Sequence, residues 1–481
     1  MKRRQLVGLS LLLSASLSLG LVQGELPLND VKAYVASELE ATGVPGAALI
    51  VVRGDEVVLL ETFGAADPSG RPVTPDTPFV MGSLTKSFTA LAVMQLVEAG
   101  EVALDAPVKQ YLPYFTLDDP RANVITVRDA LNHTTGISWW DGLGYEGSTD
   151  VSVNAVENRV RALESVPLQA DPGSSFAYSN VNYVIAGAVV EAVSGQAYEA
   201  YVEQHIFEPL GMADSYGSVG KARENGLAEG YRYVFGKPVA NPNLPYGRSD
   251  LPSYLLSASV EDMGNYLTAH INGGVYDENR VLSEAGIETL HLGTAATPYD
   301  DHYAMGWFDE RWEGERVLNH YGSFTGYHAN MMLAPERDLG LVMLTNAESY
   351  VANERRWDVA KNAFRILLEQ ETRTAGVSPS LVAFVGVILC ALVVLGDLVA
   401  YGFKHARGKA KRRPVLDTAL SVVFVTLGLA FLFGIPRVFD APMSSIRLST
   451  PDAGYVFTVT GVLALVWGSL RISLSALPKK R

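Results

Sequence analysis

A serine and a lysine three residues apart, Ser83 and Lys86 in the run Ser83-Leu84-Thr85-Lys86, lie one turn above each other if the segment opens a helix. A serine hydroxyl is a weak nucleophile at neutral pH and needs a base beside it. A lysine amine serves as that base where burial or a nearby cation keeps it unprotonated. The pair therefore points to acyl transfer, with the hydroxyl attacking a carbonyl carbon and the amine taking the proton. The sequence that follows supports a helix: Ser87 to Val97 carries no charge and is apolar nearly all round, and Ala99-Gly100 supplies a stop. The same pattern recurs at Ser218 and Lys221, where Gly220 and neighbouring turn residues argue against a helix.

Further along, Tyr178-Ser179-Asn180 offers a phenol and an amide from one short turn, and His320-Tyr321-Gly322-Ser323 opens a late pair of strands. The elements that must bring these groups together are legible in outline. Ala47 to Val52 and Val57 to Phe63 are β-branched, apolar runs around Arg53-Gly54-Asp55-Glu56, which reads as a hairpin. Tyr327 to Ala334 and Leu339 to Asn346 flank Pro335-Glu336-Arg337-Asp338, and Val351 to Leu368 reads as an amphipathic helix. Strands at both ends with helical, loop-rich sequence between them predict an α+β domain: one antiparallel sheet closed by the two termini, flanked by helices, with an inserted helical lobe. The cleft between lobe and sheet is the expected site.

The ends of the 481-residue chain have a different character. Residues 1–24 read as a secretory signal, with Lys2, Arg3 and Arg4 before an apolar stretch; an uncleaved anchor is the alternative. Residues 25–370 form the expected extracytoplasmic domain and 371–380 a linker. Within 381–477, Leu381 to Tyr401, Val415 to Ile435 and Tyr455 to Leu470 are each apolar enough to cross about 30 Å of hydrocarbon. The loop 402–414 carries six basic residues and no acid, and the tail 478–481 is also basic, so both are expected in the cytoplasm. Asp397 and Asp417 fall near the cytoplasmic ends of their helices, within expected reach of headgroups or the basic loop. So few polar residues suit an anchor better than a transport path.

Of the net charge of −14, residues 25–376 carry about −25. That surface argues against nucleic acid and against docking on anionic lipid. The lone cysteine, Cys390, excludes an intramolecular disulfide. No residues have metal-ligand spacing, since His270 and His302 stand alone, and no cofactor is implied.

Ser83-x-x-Lys86, Tyr178-Ser179-Asn180 and His320-Tyr321-Gly322, in this order, resemble the motifs of the serine β-lactamase and penicillin-binding-protein superfamily, most closely its class C-like branch. Supporting stretches are Leu131-Asn132-His133-Thr134-Thr135-Gly136 and Tyr303-Ala304-Met305-Gly306-Trp307. The resemblance implies a β-lactamase/transpeptidase-like fold with Ser83 as nucleophile, Lys86 as base and Tyr178 sharing the proton traffic. It further implies that Asn180 binds Lys86 and the substrate amide, and that the backbone N–H groups of Ser83 and Ser323 hold the oxyanion while Gly322 keeps that edge open. His320 stands where lactamases usually place lysine. A histidine is only partly charged near neutral pH, so esterase or D-amino-acid peptidase activity on small or peptidoglycan-derived substrates ranks above β-lactamase or D,D-carboxypeptidase activity. A catalytically silent envelope-binding protein is the rival from another class. His133 is expected to form a structural turn, and Trp139 and Trp140 are candidates for the wall of the pocket.

Overall fold

The computed structural model describes residues 25–139, 148–242, 246–348, 354–374, 376, 379–407, 413–438 and 443–476. Residues 1–24, read above as a signal, together with Trp140, residues 408–412 of the basic loop and the tail 478–481 lie outside the described residues. The domain begins with α1 (Leu28–Thr42), β1 (Gly46–Arg53) and β2 (Glu56–Gly64), the two strands pairing antiparallel as the hairpin expected from sequence. Two long helices follow, α2 (Thr85–Glu98) and α3 (Asn180–Ser194). A small hairpin comes next, β3 (Tyr231–Val234) and β4 (Lys237–Ala240). The closing run is β5 (Ala295–Ala296), β6 (His302–Ala304), β7 (Trp307–Trp312), β8 (Glu315–Phe324), β9 (Tyr327–Ala334), β10 (Leu339–Thr345) and β11 (Ala347–Glu348), then α4 (Glu354–Leu367).

One eight-stranded antiparallel sheet runs in the order β2-β1-β10-β9-β8-β7-β6-β5. The first and last thirds of the domain meet at its centre, where Ala47 pairs with Thr345 and Val51 with Leu341. β1 is apolar almost without break because helices cover both of its faces. Ala48, Ile50 and Val52 face the helical lobe with α2 and α3, whereas Ala47, Leu49 and Val51 pack with Val31, Val35 and Phe364 from α1 and α4. Fully burying one such aliphatic side chain contributes roughly 1.5–3 kcal/mol.

Two expectations need correction here. Ser218 does open a helix, Val219–Glu224, with its Oγ accepting the Lys221 amide at 3.2 Å. The Lys221 amine turns away to Glu203 at 3.0 Å, so the pattern is a helix cap and a surface ion pair. Asn180 is not in a turn but is the first residue of α3, with Ser179 as its cap.

Beyond α4 come α5 (Pro379–Ala406), which begins within the expected linker, α6 (Pro414–Leu429), α7 (Met443–Ser449) and α8 (Pro451–Ala476). Among the described residues, three stretches are long and apolar enough to cross a membrane: Phe384–Lys404, Val415–Val438 and Pro451–Leu474. The segment between the second and third contains α7. Asp417 does meet the basic loop, its Oδ2 accepting the Arg413 amide at 3.1 Å, but the main partner of both acids is a residue not foreseen. Both turn inward to Arg471 of α8, at 2.5 and 3.0 Å, and Trp467 donates its indole N–H to Asp397 at 2.8 Å. Arg471 and Asp417 are buried between the helices, where a charge is tolerated only if paired.

Candidate active site

Ser83 sits on a single tight turn, Gly82–Leu84, that feeds directly into α2. Gly82 has φ +55°, a left-handed conformation that costs a side-chain-bearing residue energy and lets the chain swing from strand to helix. The first turn of α2 then sets Lys86 over Ser83, and its Nζ lies 2.9 Å from Ser83 Oγ. Lys86 is fully buried, whereas Ser83 is half-buried and open to the cleft. The amine donates to two further acceptors, Asn180 Oδ1 and the Ser253 carbonyl, each at 2.9 Å. Burial holds the Lys86 ammonium well below the usual lysine range, against a smaller opposing pull from Asp250. The amine is therefore suited to accept a proton from the hydroxyl it faces.

Tyr178 places the face of its ring 4.8 Å from Lys86 Nζ. It is wedged between the His133 ring at 4.3 Å and the Trp139 ring at 5.7 Å. Trp139 thus does flank the site. His133 makes the turn expected of it, at φ +57°, and its Nδ1 takes the Ser179 amide at 3.2 Å and the Asn182 side-chain amide at 3.1 Å. Both contacts fix the segment that carries Tyr178 and Asn180.

On the opposite wall, β8 runs further than β7. Their pairing stops at Phe308↔Asn319, so among the described residues His320 to Phe324 have a strand partner only in β9, where Gly322 faces Ala329 and Ser323 faces His328. Met81, Gly82 and Ser83 press against this edge. A Cβ at Gly322 would stand 1.9 Å from the Met81 carbonyl oxygen and 3.1 Å from Ser83 N, which only glycine avoids. The backbones around Ser83 and Ser323 therefore meet directly, as two N–H donors sharing one oxyanion must.

His320 lies beneath the cleft surface rather than on it. It is 1% exposed, packed among Tyr178, Tyr303, Phe308 and Tyr321. One ring nitrogen, Nδ1, donates to the Tyr321 carbonyl at 2.8 Å, and Nε2 accepts the Tyr303 hydroxyl at 3.2 Å. Burial, and then the nearby Lys86, push its pKa down to about 3. The imidazole is neutral at physiological pH, so the partial charge expected from its type alone is absent.

Sequence reasoning missed a buried layer behind Lys86. Asp250 and Arg159 pair at 3.5 Å, both nearly inaccessible to water, and Ser253 Oγ donates to the Asp250 carbonyl at 2.8 Å. Burial raises the Asp250 carboxyl above the usual range, partly offset by Arg159 and Ser249. No local pattern marks two residues so far apart in the chain as partners. Among the described residues no group of acids, histidines and cysteines has the arrangement of a metal site.

The Beta-lactamase family model matches residues 31–364. Protein flp of Staphylococcus aureus (strain MW2) is 26% identical over 323 residues, 67% of this chain and 63% of flp. Unguisins hydrolase ungD' of Aspergillus campestris is 28% identical over 339 residues, 67% of this chain and 62% of that protein. The chain thus spans less than two thirds of the length of these curated relatives. The octameric penicillin-binding protein homologue from Pyrococcus abyssi superposes with a TM-score of 0.62 at 27% identity, covering 72% of this chain and 78% of its own. With that match over most of its length, and a mixed helix and antiparallel-sheet fold to go with it, the chain belongs to the beta-lactamase family.

Proposed function

We propose that the protein is a membrane-anchored serine hydrolase that cleaves an ester or amide through an acyl-serine intermediate. The observation that carries this reading is the 2.9 Å contact between Ser83 Oγ and a fully buried, weakly basic Lys86 amine. Lys86 takes the Ser83 proton as Oγ attacks the carbonyl carbon. The developing oxyanion is held by the N–H groups of Ser83 and Ser323, and Asn180 keeps Lys86 in place while offering its amide N–H to the substrate. Tyr178, against the ammonium, hands a proton to the leaving group. Water then takes the leaving group's place: it attacks the acyl carbonyl as it gives a proton to Tyr178, the bond from Ser83 Oγ breaks, and Oγ regains a proton from Lys86.

A neutral His320 supplies no fixed cation for a substrate carboxylate, which favours ester or D-amino-acid amide substrates over β-lactams. The name of the Aspergillus relative, an unguisins hydrolase, is in keeping with amide or ester cleavage. The basic residues of 402–414 put that loop in the cytoplasm and the hydrolase domain on the extracytoplasmic side.

A fluorophosphonate probe tests the assignment. The parent protein is expected to label stoichiometrically and Ser83→Ala not at all, and equal labelling of both removes the nucleophile from this account. Intact-protein mass spectrometry after exposure to esters, D-amino-acid amides and β-lactams then reports the acyl group.

A further inference from the structure

The turn of the hairpin β3–β4 meets the near ends of two of the apolar helices. The Phe235 amide donates to Asp452 Oδ2 at 2.9 Å, and Asp452 is the second residue of the span Pro451–Leu474. The Phe235 ring lies 6.4 Å from that of Phe384, the first residue of the span Phe384–Lys404. These contacts leave Phe235 66% exposed, at φ +48°, with Val239 on the same hairpin and Tyr455 on the first turn of α8 also exposed. A phenylalanine ring presented where hydrocarbon begins buries itself at the boundary between headgroups and acyl chains.

Charge agrees with this placement. Residues 231–240 contain Arg232 and Lys237 and no acid, on a domain that is otherwise strongly acidic. The hairpin is also a stiff strut. Tyr231 is buried at its root with Ala347, and Tyr233, two residues before the turn residue Phe235, is buried as well, its hydroxyl donating to the Thr42 and Gly43 carbonyls at 3.2 Å.

We infer that the tip of this hairpin is a lipid-binding element: Phe235 and Val239 enter the headgroup layer of the bilayer that the three helices cross, with Lys237 among the lipid phosphates. The hairpin's root, at Gly230, packs on Tyr327 and Gly326, the turn that follows the β8 edge of the site. A strand rises about 3.3 Å per residue, so this strut holds the rim of the cleft within roughly 20 Å of the headgroups.

The full-length chain in a Cys390→Ser background, with Phe235→Cys carrying an environment-sensitive nitrobenzoxadiazole label, reads this contact in phosphatidylcholine/phosphatidylglycerol vesicles. Asp277→Cys, on an exposed turn of another hairpin, is the aqueous reference. The expected result is blue-shifted emission at position 235, at least twofold stronger quenching by lipids with a shallow nitroxide than at position 277, and protection from iodide. Iodide quenching equal to the reference overturns the inference, and so does a label shielded from both quenchers, which places the tip against protein. Val239→Cys repeats the measurement if Phe235→Cys does not fold.

Discussion

Gly82 and Gly322 stand back to back. A Cβ on Gly82 would lie 2.7 Å from Ser323 N and 2.8 Å from the Gly322 carbonyl carbon, and one on Gly322 would strike the Met81 carbonyl oxygen. Neither residue does chemistry, yet together they set how closely the turn bearing Ser83 approaches the strand bearing Ser323. Gly322→Ala is expected to force the two apart by a fraction of an ångström and to lower kcat/KM on a p-nitrophenyl ester by about 10²–10³, the cost of losing one oxyanion donor. Steady-state kinetics beside a circular dichroism melt checks this, since the rate is expected to fall far more than the melting temperature.

The pH dependence should follow Lys86. Because burial depresses its pKa, activity is expected to rise with pH through an ionisation well below the ordinary lysine value and to be at plateau before that value is reached. Asn180→Asp places a carboxylate where the amide oxygen now accepts from Lys86 Nζ. A neighbouring negative charge favours the ammonium, so the acid limb is expected to move to higher pH, with activity lost at neutrality and partly regained in alkali. A profile whose acid limb does not move shows that the limb belongs to another group.

Helix α2 and the gathering of Ser83, Lys86, Tyr178, Asn180 and Gly322 about one place were legible because each belongs to a local pattern: a spacing, a glycine, a charge-free run. What escaped notice depends on partners met only in space. Nothing near Arg159 announces Asp250. The type of His320 suggested partial charge, but of the aromatic residues that strip it of water only Tyr321 is its neighbour in the chain; Tyr303 and Phe308 come from the preceding strand pair and Tyr178 from far upstream. Ser218 looked like a loop because Gly220 weakens helix propensity, and the cap it forms with the Lys221 amide prevailed.

The Arg159–Asp250 pair lies behind the Lys86 site and is cut off from water. Removing one partner of such a pair leaves an uncompensated charge and costs about 3–5 kcal/mol. Arg159→Leu is therefore expected to lower the melting temperature markedly, and the double variant Arg159→Leu/Asp250→Asn to recover part of the loss. Thermal denaturation of the two side by side is the check, and an Arg159→Leu protein as stable as the parent would show that the pair contributes nothing.

The same reasoning applies among the apolar helices. Arg471→Leu strands Asp397 and Asp417, each expected to cost about 2.5–3.5 kcal/mol where it faces hydrocarbon. The detergent-solubilised variant is expected to lose protease resistance in its last hundred residues. Adding Asp397→Asn and Asp417→Asn should restore it, as limited proteolysis would show.

The pairing of β1 with β10 also governs how the protein is made. The strand at Gly46–Arg53 has no central neighbour until Leu339–Thr345 has been synthesised, almost three hundred residues later. Local pieces such as the β1–β2 hairpin form early, but the sheet cannot close until nearly the whole domain is available, and closures over such long separations are slow. The first apolar span begins about forty residues beyond that last strand. If the apolar helices insert as proposed, closure of the sheet and that insertion fall at nearly the same moment of synthesis, and the intervening segment is where an unfinished domain has most need of protection.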